Sequence, residues 1–319
     1  MGNVEQDLEL TEKVHIAWLY YMENLTQAEI ADRLGLTRLM VHRILQKCLQ
    51  EGLVQIVINH PQVYCAQLGS QLEAVFGLKN AVVIPSSSQP EVLKRNLGAV
   101  SARLIARWIS NGTTVAVGWG STLAETARYV VRKNYDNVTV VSLVGGMTKS
   151  AGNNSYEVAL QMADALNAVC YNYMAPMFVD TTEDRAAILR LRHIQVLQQL
   201  VRRASLAVVG VGEVSAECTL TKTGVLSPAE VEDLMQAGAV ADILGNFIDL
   251  NGRLVDSDLN QRVVGTSLDV LAEMENVFAV AGGLRKAQAI SAALRSGCIT
   301  NLITDAETAE QILQFNRAR

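Results

Sequence analysis

Glycine, a hydroxyl and a lysine, suitably spaced, can hold a phosphate, and the run GWGSTLAET at residues 118–126 has the first two. Gly118 and Gly120 let the backbone come close to an anion, while Ser121 and Thr122 supply hydroxyls leading into a helix expected near Leu123. The backbone N–H groups and positive end of such a helix make an anion site. Trp119 offers a flat face against which a sugar or base could lie. A second run, LVGGMTKSAGN, again sets glycines before polar residues at Gly145, Gly146, Met147 and Lys149. A third, VAGGLRKAQAI, opens a helix with Arg285 and Lys286, which could neutralise a phosphate. Between them, Asp242 in GAVADILGNF is a candidate acceptor for ligand hydroxyls. Each feature has a plainer reading. Glycine turns are needed sterically in many α/β proteins, Trp119 can be a packing residue, Asp242 can cap or pair with an arginine, and Lys149 can simply be solvated. Convergence of several such loops on one sheet edge favours the phosphate site.

Other chemistries lack their residues. GWGSTL has no third glycine of the GxGxxG dinucleotide fingerprint, and no GxxxxGK[ST] phosphate loop, HExxH pair or GxSxG nucleophile elbow occurs. The four histidines (His15, His42, His60, His193) are scattered, so neither a metal nor a cofactor is expected. The five cysteines (Cys48, Cys65, Cys170, Cys218, Cys298) are odd in number with no CxxC pair, which suits a reducing cytoplasm rather than a disulfide framework. The N-terminal MGNVEQDLEL lacks the apolar core of a secretory signal, and no apolar run approaches the ~18 residues of a membrane span. A soluble cytoplasmic protein is expected.

A second chemistry, DNA reading, is written into residues 25–53, LTQAEIADRLGLTRLMVHRILQKCLQEGL. Thr26 can cap a helix with Glu29 three residues on, and Ile30, Ala31 and Leu34 give that helix one apolar face. Gly35 stands where a tight turn needs a positive φ. Thr37 can cap a second helix carrying Val41, Ile44, Leu45 and Cys48 at three- and four-residue spacing. That register turns Arg38, Leu39, His42, Arg43, Gln46 and Lys47 outward. Residues 33–50 hold three arginines, one lysine and no acid. An ordinary helix pair explains the apolar spacing but not the small Ala31, the turn glycine and the acid-free face together. The candidate DNA-contacting residues are therefore Thr26, Gln27, Thr37, Arg38, Leu39, His42, Arg43, Gln46 and Lys47, with operator DNA as partner.

The elements that must carry these residues follow from length and pattern. The chain has 319 residues, half of them apolar and only 18% charged, enough for one large domain and a small one. Its net charge of −5 argues against a generally basic coat. Residues 1–60 read as a winged helix-turn-helix. A helix from about Leu8 to Met22 packs with Val14, Ala17, Trp18 and Tyr21, and a strand alternates Val54, Ile56 and Ile58. A connector helix from Cys65 to Phe76 (Leu68, Leu72, Val75 and Phe76 on one side) links domains or pairs with its copy. Residues 61–319 read as a large, mostly parallel α/β domain, with strand-like runs at 81–84, 114–118, 138–146, 168–174, 206–212, 241–249, 277–283 and 300–305. One amphipathic helix carries Ile188, Leu191, Ile194, Leu197 and Val201, and Asn251-Gly252 reads as a hairpin turn.

LTQAEIADRLGLTR joined to GWGSTL, VGVGEVS, GAVADILGNFID and VAGGLRKAQAISAALRSG resembles the SorC/DeoR-type sugar-binding transcriptional regulators of bacteria, from about Val14 to Leu313. The resemblance implies an effector domain like the glucosamine-phosphate deaminase, ribose-phosphate isomerase and CoA-transferase folds. It implies a phosphorylated sugar or polyol effector, control of a carbohydrate operon, and a homo-oligomer (dimer or tetramer) with no membrane partner. It further implies that Gly120, Ser121 and Thr122 hold the phosphate with Lys286 as counter-charge, that Trp119 stacks on the ligand, and that Asp242 and Leu244 touch the sugar. Some members form an imine through a lysine, a role for which Lys149 is a possibility. The alternative is a sugar-phosphate isomerase or deaminase with an accessory DNA-binding module. Asp242 could serve it as base, but no second acid–base partner is visible.

Overall fold

Thr26 accepts the Glu29 N–H at 3.3 Å while the Glu29 carboxylate accepts the Thr26 N–H at 2.8 Å, so helix α2 (Gln27–Leu34) begins with both orphan donors satisfied. Gly35 ends it in the left-handed region, at φ +66°, where a Cβ would be strained. Thr37 then caps α3 (Arg38–Gln50) through the Met40 N–H. Both helices lie with α1 (Gly2–Tyr21) around a core of Ile16, Leu19, Ile30, Ala31, Val41, Leu45 and Cys48. These are features of a computed structural model in which residues 2–54, 62–148 and 154–317 are described. The chain divides into two units, Met1–His60 and Pro61–Arg319.

The face expected for α1 is corrected. Ile16, Ala17 and Leu19 are buried, whereas Val14 and Trp18 are about half exposed. This helix is apolar on more than one side, so spacing alone did not choose the packed face. The wing strand expected from Val54 falls, beyond Val54 itself, outside the described residues.

In the larger unit, β1 (Asn80–Ile84), β2 (Thr114–Val117), β3 (Thr139–Ser142), β4 (Val169–Tyr171), β5 (Leu206–Val209), β9 (Val277–Val280) and β10 (Asn301–Asp305) form one parallel sheet. Its order is β1-β10-β9-β5-β2-β3-β4. Alternation along the strands feeds two cores. Val115, Val117, Leu206 and Val208 face α5 (Pro90–Ile105), α6 (Ser121–Tyr129) and α7 (Ser155–Leu166). Ala116, Ala207 and Val209 face the other layer, built from α4 (Gln62–Phe76), α9 (Arg192–Arg202), α14 (Ala287–Arg295) and α15 (Ala306–Arg317). Covered on both faces, the strands need no polar side, which is why they read as continuous apolar runs. The connector α4 packs here through Cys65, Leu68 and Leu72, against β1 and α15, with Val75 exposed.

Two further expectations are corrected. The helix drawn through Ile188 to Val201 is two helices, α8 (Thr182–Leu189) and α9, broken at Arg190 and a half-exposed Leu191. The run at 241–249 is not one strand but a hairpin. β7 (Ala241–Ile243) and β8 (Asn246–Ile248) pair antiparallel, with β6 (Gly212–Glu213) alongside β7. Their two-residue turn is Leu244 at φ +57° and Gly245 at φ +81°. Such turns require positive φ at both positions, and leucine there gives no sequence signal. The expected turn at Asn251-Gly252 also forms, where the Asp249 N–H donates to the Arg253 carbonyl at 2.8 Å. Helices α10 (Thr219–Lys222), α11 (Pro228–Gln236), α12 (Asp258–Arg262) and α13 (Leu268–Ala272) complete this unit.

Candidate functional site

The outer surface of α3 is the first site. Val41, Leu45 and Cys48 hold the helix down, so the residues between them face water, and Arg38, Leu39, His42, Arg43, Gln46 and Lys47 are all exposed. Thr26 and Thr37 spend their hydroxyls on helix caps, and Gln27 is half-buried. Lys47 lies 3.8 Å from Glu51, one turn further on, which tempers the basic charge at that end.

The second site is a cavity of about 500 Å³ beyond the carboxyl ends of the parallel strands. From β2 the chain steps outward through β3 to β4, then returns to β5 on the other side of β2 and proceeds to β9 and β10. Loops leaving β2 and β5 must therefore diverge, and a crevice opens between them. Gly120 to Leu123 leave β2, Gly210 to Glu213 leave β5, and Gly282 to Lys286 leave β9; all line the cavity. Ser87, Ser88 and Lys94 close it from the β1–α5 side.

Two helices of eight or more residues start around this cavity without a side-chain cap, α5 after Gln89 and α6 after Gly120, while α14 continues from a 3₁₀ turn whose Leu284 carbonyl accepts the Ala287 N–H. Away from the cavity Thr26, Thr37, Thr181 and Ser227 cap α2, α3, α8 and α11, whereas α9 also starts uncapped, after Leu191. First-turn N–H groups have no acceptor within their own helix. At α6, Gly120 takes φ +117°, a conformation reserved for glycine, with open space where a Cβ would point.

Charged groups share the same walls. Lys286 is half-buried and donates to the Val211 carbonyl at 2.9 Å. Burial pushes its ammonium below the usual lysine range, with Lys94 acting the same way and Glu213 and Asp242 opposing. Asp242, on β7, is 4% exposed and accepts the Gly245 N–H at 2.6 Å. Burial pushes its carboxyl up to about 7, against the pull of that hydrogen bond and of Lys286. Arg285 is already engaged, 3.2 Å from Glu213 and 3.4 Å from Glu217 across the cavity mouth.

Of the residues singled out in the sequence, Trp119, Gly120, Ser121, Thr122, Asp242, Leu244 and Lys286 come together on this wall. Trp119 is also 8% exposed and part of the core, so its packing role is real. Gly118, Gly145, Gly146 and Met147 are not on the wall. The Gly118 N–H bridges β2 to β5 through the Val208 carbonyl, and a side chain there would meet Leu244. A Cβ on Gly145 would strike the Ala175 and Pro176 carbonyls, and one on Gly146 the Tyr156 ring. These two glycines serve close packing. Asn154 holds Met147 through both its N–H and its carbonyl. Lys149 lies outside the described residues. Lys94, Lys222, Glu217, Glu307 and the Ser87–Ser88 pair are among the wall residues the motifs did not flag.

A helix-turn-helix with an exposed basic face, in one chain with a parallel α/β unit whose switch-point crevice is lined by helix starts, has the build of a ligand-responsive DNA-binding regulator. The chain matches the family model described as "Putative sugar-binding domain" over residues 60–314, and that of sigma-70 region 4 over residues 17–51. It is 32% identical to the erythritol catabolism regulatory protein EryD of Brucella abortus, over 93% of this chain and 94% of that protein. It is 34% identical to the transcriptional regulator LsrR of Klebsiella pneumoniae, over 93% and 91%. Among solved structures it resembles the full-length sorbitol operon regulator SorC from Klebsiella pneumoniae, with a TM-score of 0.74, 28% identity, and 95% and 98% of the two chains covered. The chain belongs to the SorC/DeoR-type family of sugar-binding transcriptional regulators. It is a DNA-binding regulator of transcription, not an enzyme. No described helix is long and apolar enough to cross a membrane.

Proposed function

We propose that this regulator controls an operon for uptake or breakdown of a sugar or polyol, and that its effector is the phosphorylated form of that compound, bound in the switch-point cavity. The observation that carries the reading is the convergence of two uncapped helix starts, at α5 and α6, on one cavity that also holds Lys286 and Lys94. Helix N-termini and ammonium groups favour a dianion. In this reading Gly120, Ser121, Thr122 and Lys286 take the phosphate, while Asp242 and Leu244 meet the hydroxylated carbon chain. Residues 1–60 read the operator and residues 61–319 carry the effector and the contacts between subunits. Relatives named for erythritol catabolism and for the sorbitol operon support a polyol or sugar.

A thermal-shift screen tests this directly, because a ligand that binds only the folded protein raises its midpoint. Tetrose, pentose, hexose and polyol phosphates are compared with their unphosphorylated parents. At least one phosphate ester should raise the midpoint while its parent leaves it unmoved. Equal shifts by ester and parent would remove the phosphate from the reading.

A further inference from the structure

Asp305, the last residue of β10, takes no place on the cavity wall, yet three wall-forming segments hang from its side chain. It is 1% exposed. One carboxyl oxygen accepts the Gly283 N–H at 2.8 Å and the Thr308 hydroxyl at 2.6 Å. The other accepts the Ser86 hydroxyl at 2.7 Å and the Thr308 N–H at 3.4 Å. Gly283 belongs to the loop that delivers Lys286. Ser86 precedes Ser87 and Ser88 on the wall, and its oxygen in turn accepts the N–H of Glu307, another wall residue. The approach at Gly282 is so close that a Cβ there would lie 2.5 Å from the Asp305 carboxyl.

Every group facing Asp305 is a donor, and two of them are backbone N–H groups that cannot reverse. An asparagine of the same shape would turn an NH₂ toward the Gly283 N–H on one side or the Thr308 N–H on the other. Either way one N–H loses its carboxylate acceptor and the link to that segment weakens, although the Gly283 N–H retains the Thr308 hydroxyl at 2.9 Å as a second acceptor.

From this geometry we infer that Asp305 is a positioning residue for effector binding: it sets the Lys286 loop and the Ser86–Ser88 segment at the spacing the ligand requires, without touching the ligand. The inference rests on the cavity being the effector site. The carboxylate offers both segments an acceptor at once, and Thr308 adds a second acceptor for the Gly283 N–H.

The test is calorimetric titration with the best-binding phosphate ester of the panel above, on the full chain. It compares the parent protein, Thr122→Val as a direct-contact control, Asp305→Asn, Ser86→Ala, and Val201→Ala. Val201 is a core residue of α9, chosen to lower the melting temperature without approaching the cavity. Asp305→Asn should weaken the ester by about tenfold or more, and Ser86→Ala by a smaller factor, while Val201→Ala keeps the parent affinity despite its lower midpoint. Parent-like affinity in both Asp305→Asn and Ser86→Ala, with Thr122→Val impaired, overturns the positioning role and leaves the cavity reading standing. Should Asp305→Asn fail to fold, Ser86→Ala alone decides by the same criterion. Loss of affinity that merely tracks melting temperature, with Val201→Ala falling in step, also overturns it. Undiminished binding in Thr122→Val and all the others places the effector elsewhere, and the inference falls with that reading.

Discussion

Asp242 sits on the cavity wall with its carboxyl pushed up to about 7 by burial. In the folded protein it therefore holds its proton to higher pH than in the unfolded chain, whose carboxyl titrates at its ordinary value. The folded state is favoured by this group below that ordinary value, and the contribution is lost as pH rises through about 7. Stability of the effector-free protein should fall over that window by at most about 1.4 kcal/mol per pH unit. Asp242→Asn, neutral throughout, should flatten the fall, as urea unfolding across a pH series would read. An unchanged slope in the variant would assign the titration to another group. Near neutrality the half-protonated carboxyl can both donate to and accept from a ligand hydroxyl. That shift is invisible in the sequence, because it arises from the hairpin that buries the residue beside Gly212 and Lys286. Gly120, Ser121, Thr122 and Lys286 were readable because strand-end glycine followed by hydroxyls or cations has few uses. Gly145 and Gly146 looked the same in sequence, but the absence of a side chain there serves the Pro176 backbone and the Tyr156 ring.

Helix α3 shows what periodicity can settle. Its buried side chains recur at four- and three-residue spacing, its cap is a threonine, and its outer residues follow by elimination. Arg43 stands on that outer face, where a guanidinium can reach guanine with two parallel hydrogen bonds. Such a pair is worth roughly 1–3 kcal/mol of discrimination. Arg43→Ala should weaken operator binding and narrow the gap to random DNA in a filter-binding or anisotropy comparison at matched salt. Full retention of operator preference would move recognition off this face. Other elements were beyond periodicity. The single run at 241–249 conceals a turn because Leu244 adopts a positive φ that composition does not announce. The break between α8 and α9 has neither proline nor glycine to mark it, and Leu191, placed on the apolar stripe, is left half exposed. In α1 the apolar residues fit two faces, and only the positions of α2 and α3 decide between them.

The chain carries a net charge of −5, and within residues 1–60 every basic residue but Lys13 falls in the acid-free run 33–50. One small reading head on an acidic protein has little non-specific hold on DNA. Selectivity then calls for two heads on half-sites a helical turn or more apart, hence for self-association. Sedimentation at micromolar concentration should show a dimer or tetramer, and a monomer with operator present would remove that requirement. For a phosphorylated effector in the cavity to change the hold of α3 on DNA, the ligand must prefer one of two arrangements of the protein. The most direct measurement titrates an operator, selected from random DNA, with the parent protein and with the Thr122→Val, Lys286→Ala double variant, each with and without the best-binding phosphate ester. Operator affinity of the parent should shift with the ester, while the double variant binds operator equally well in both conditions. An ester-dependent shift of the same size in the double variant would place the switch outside this cavity.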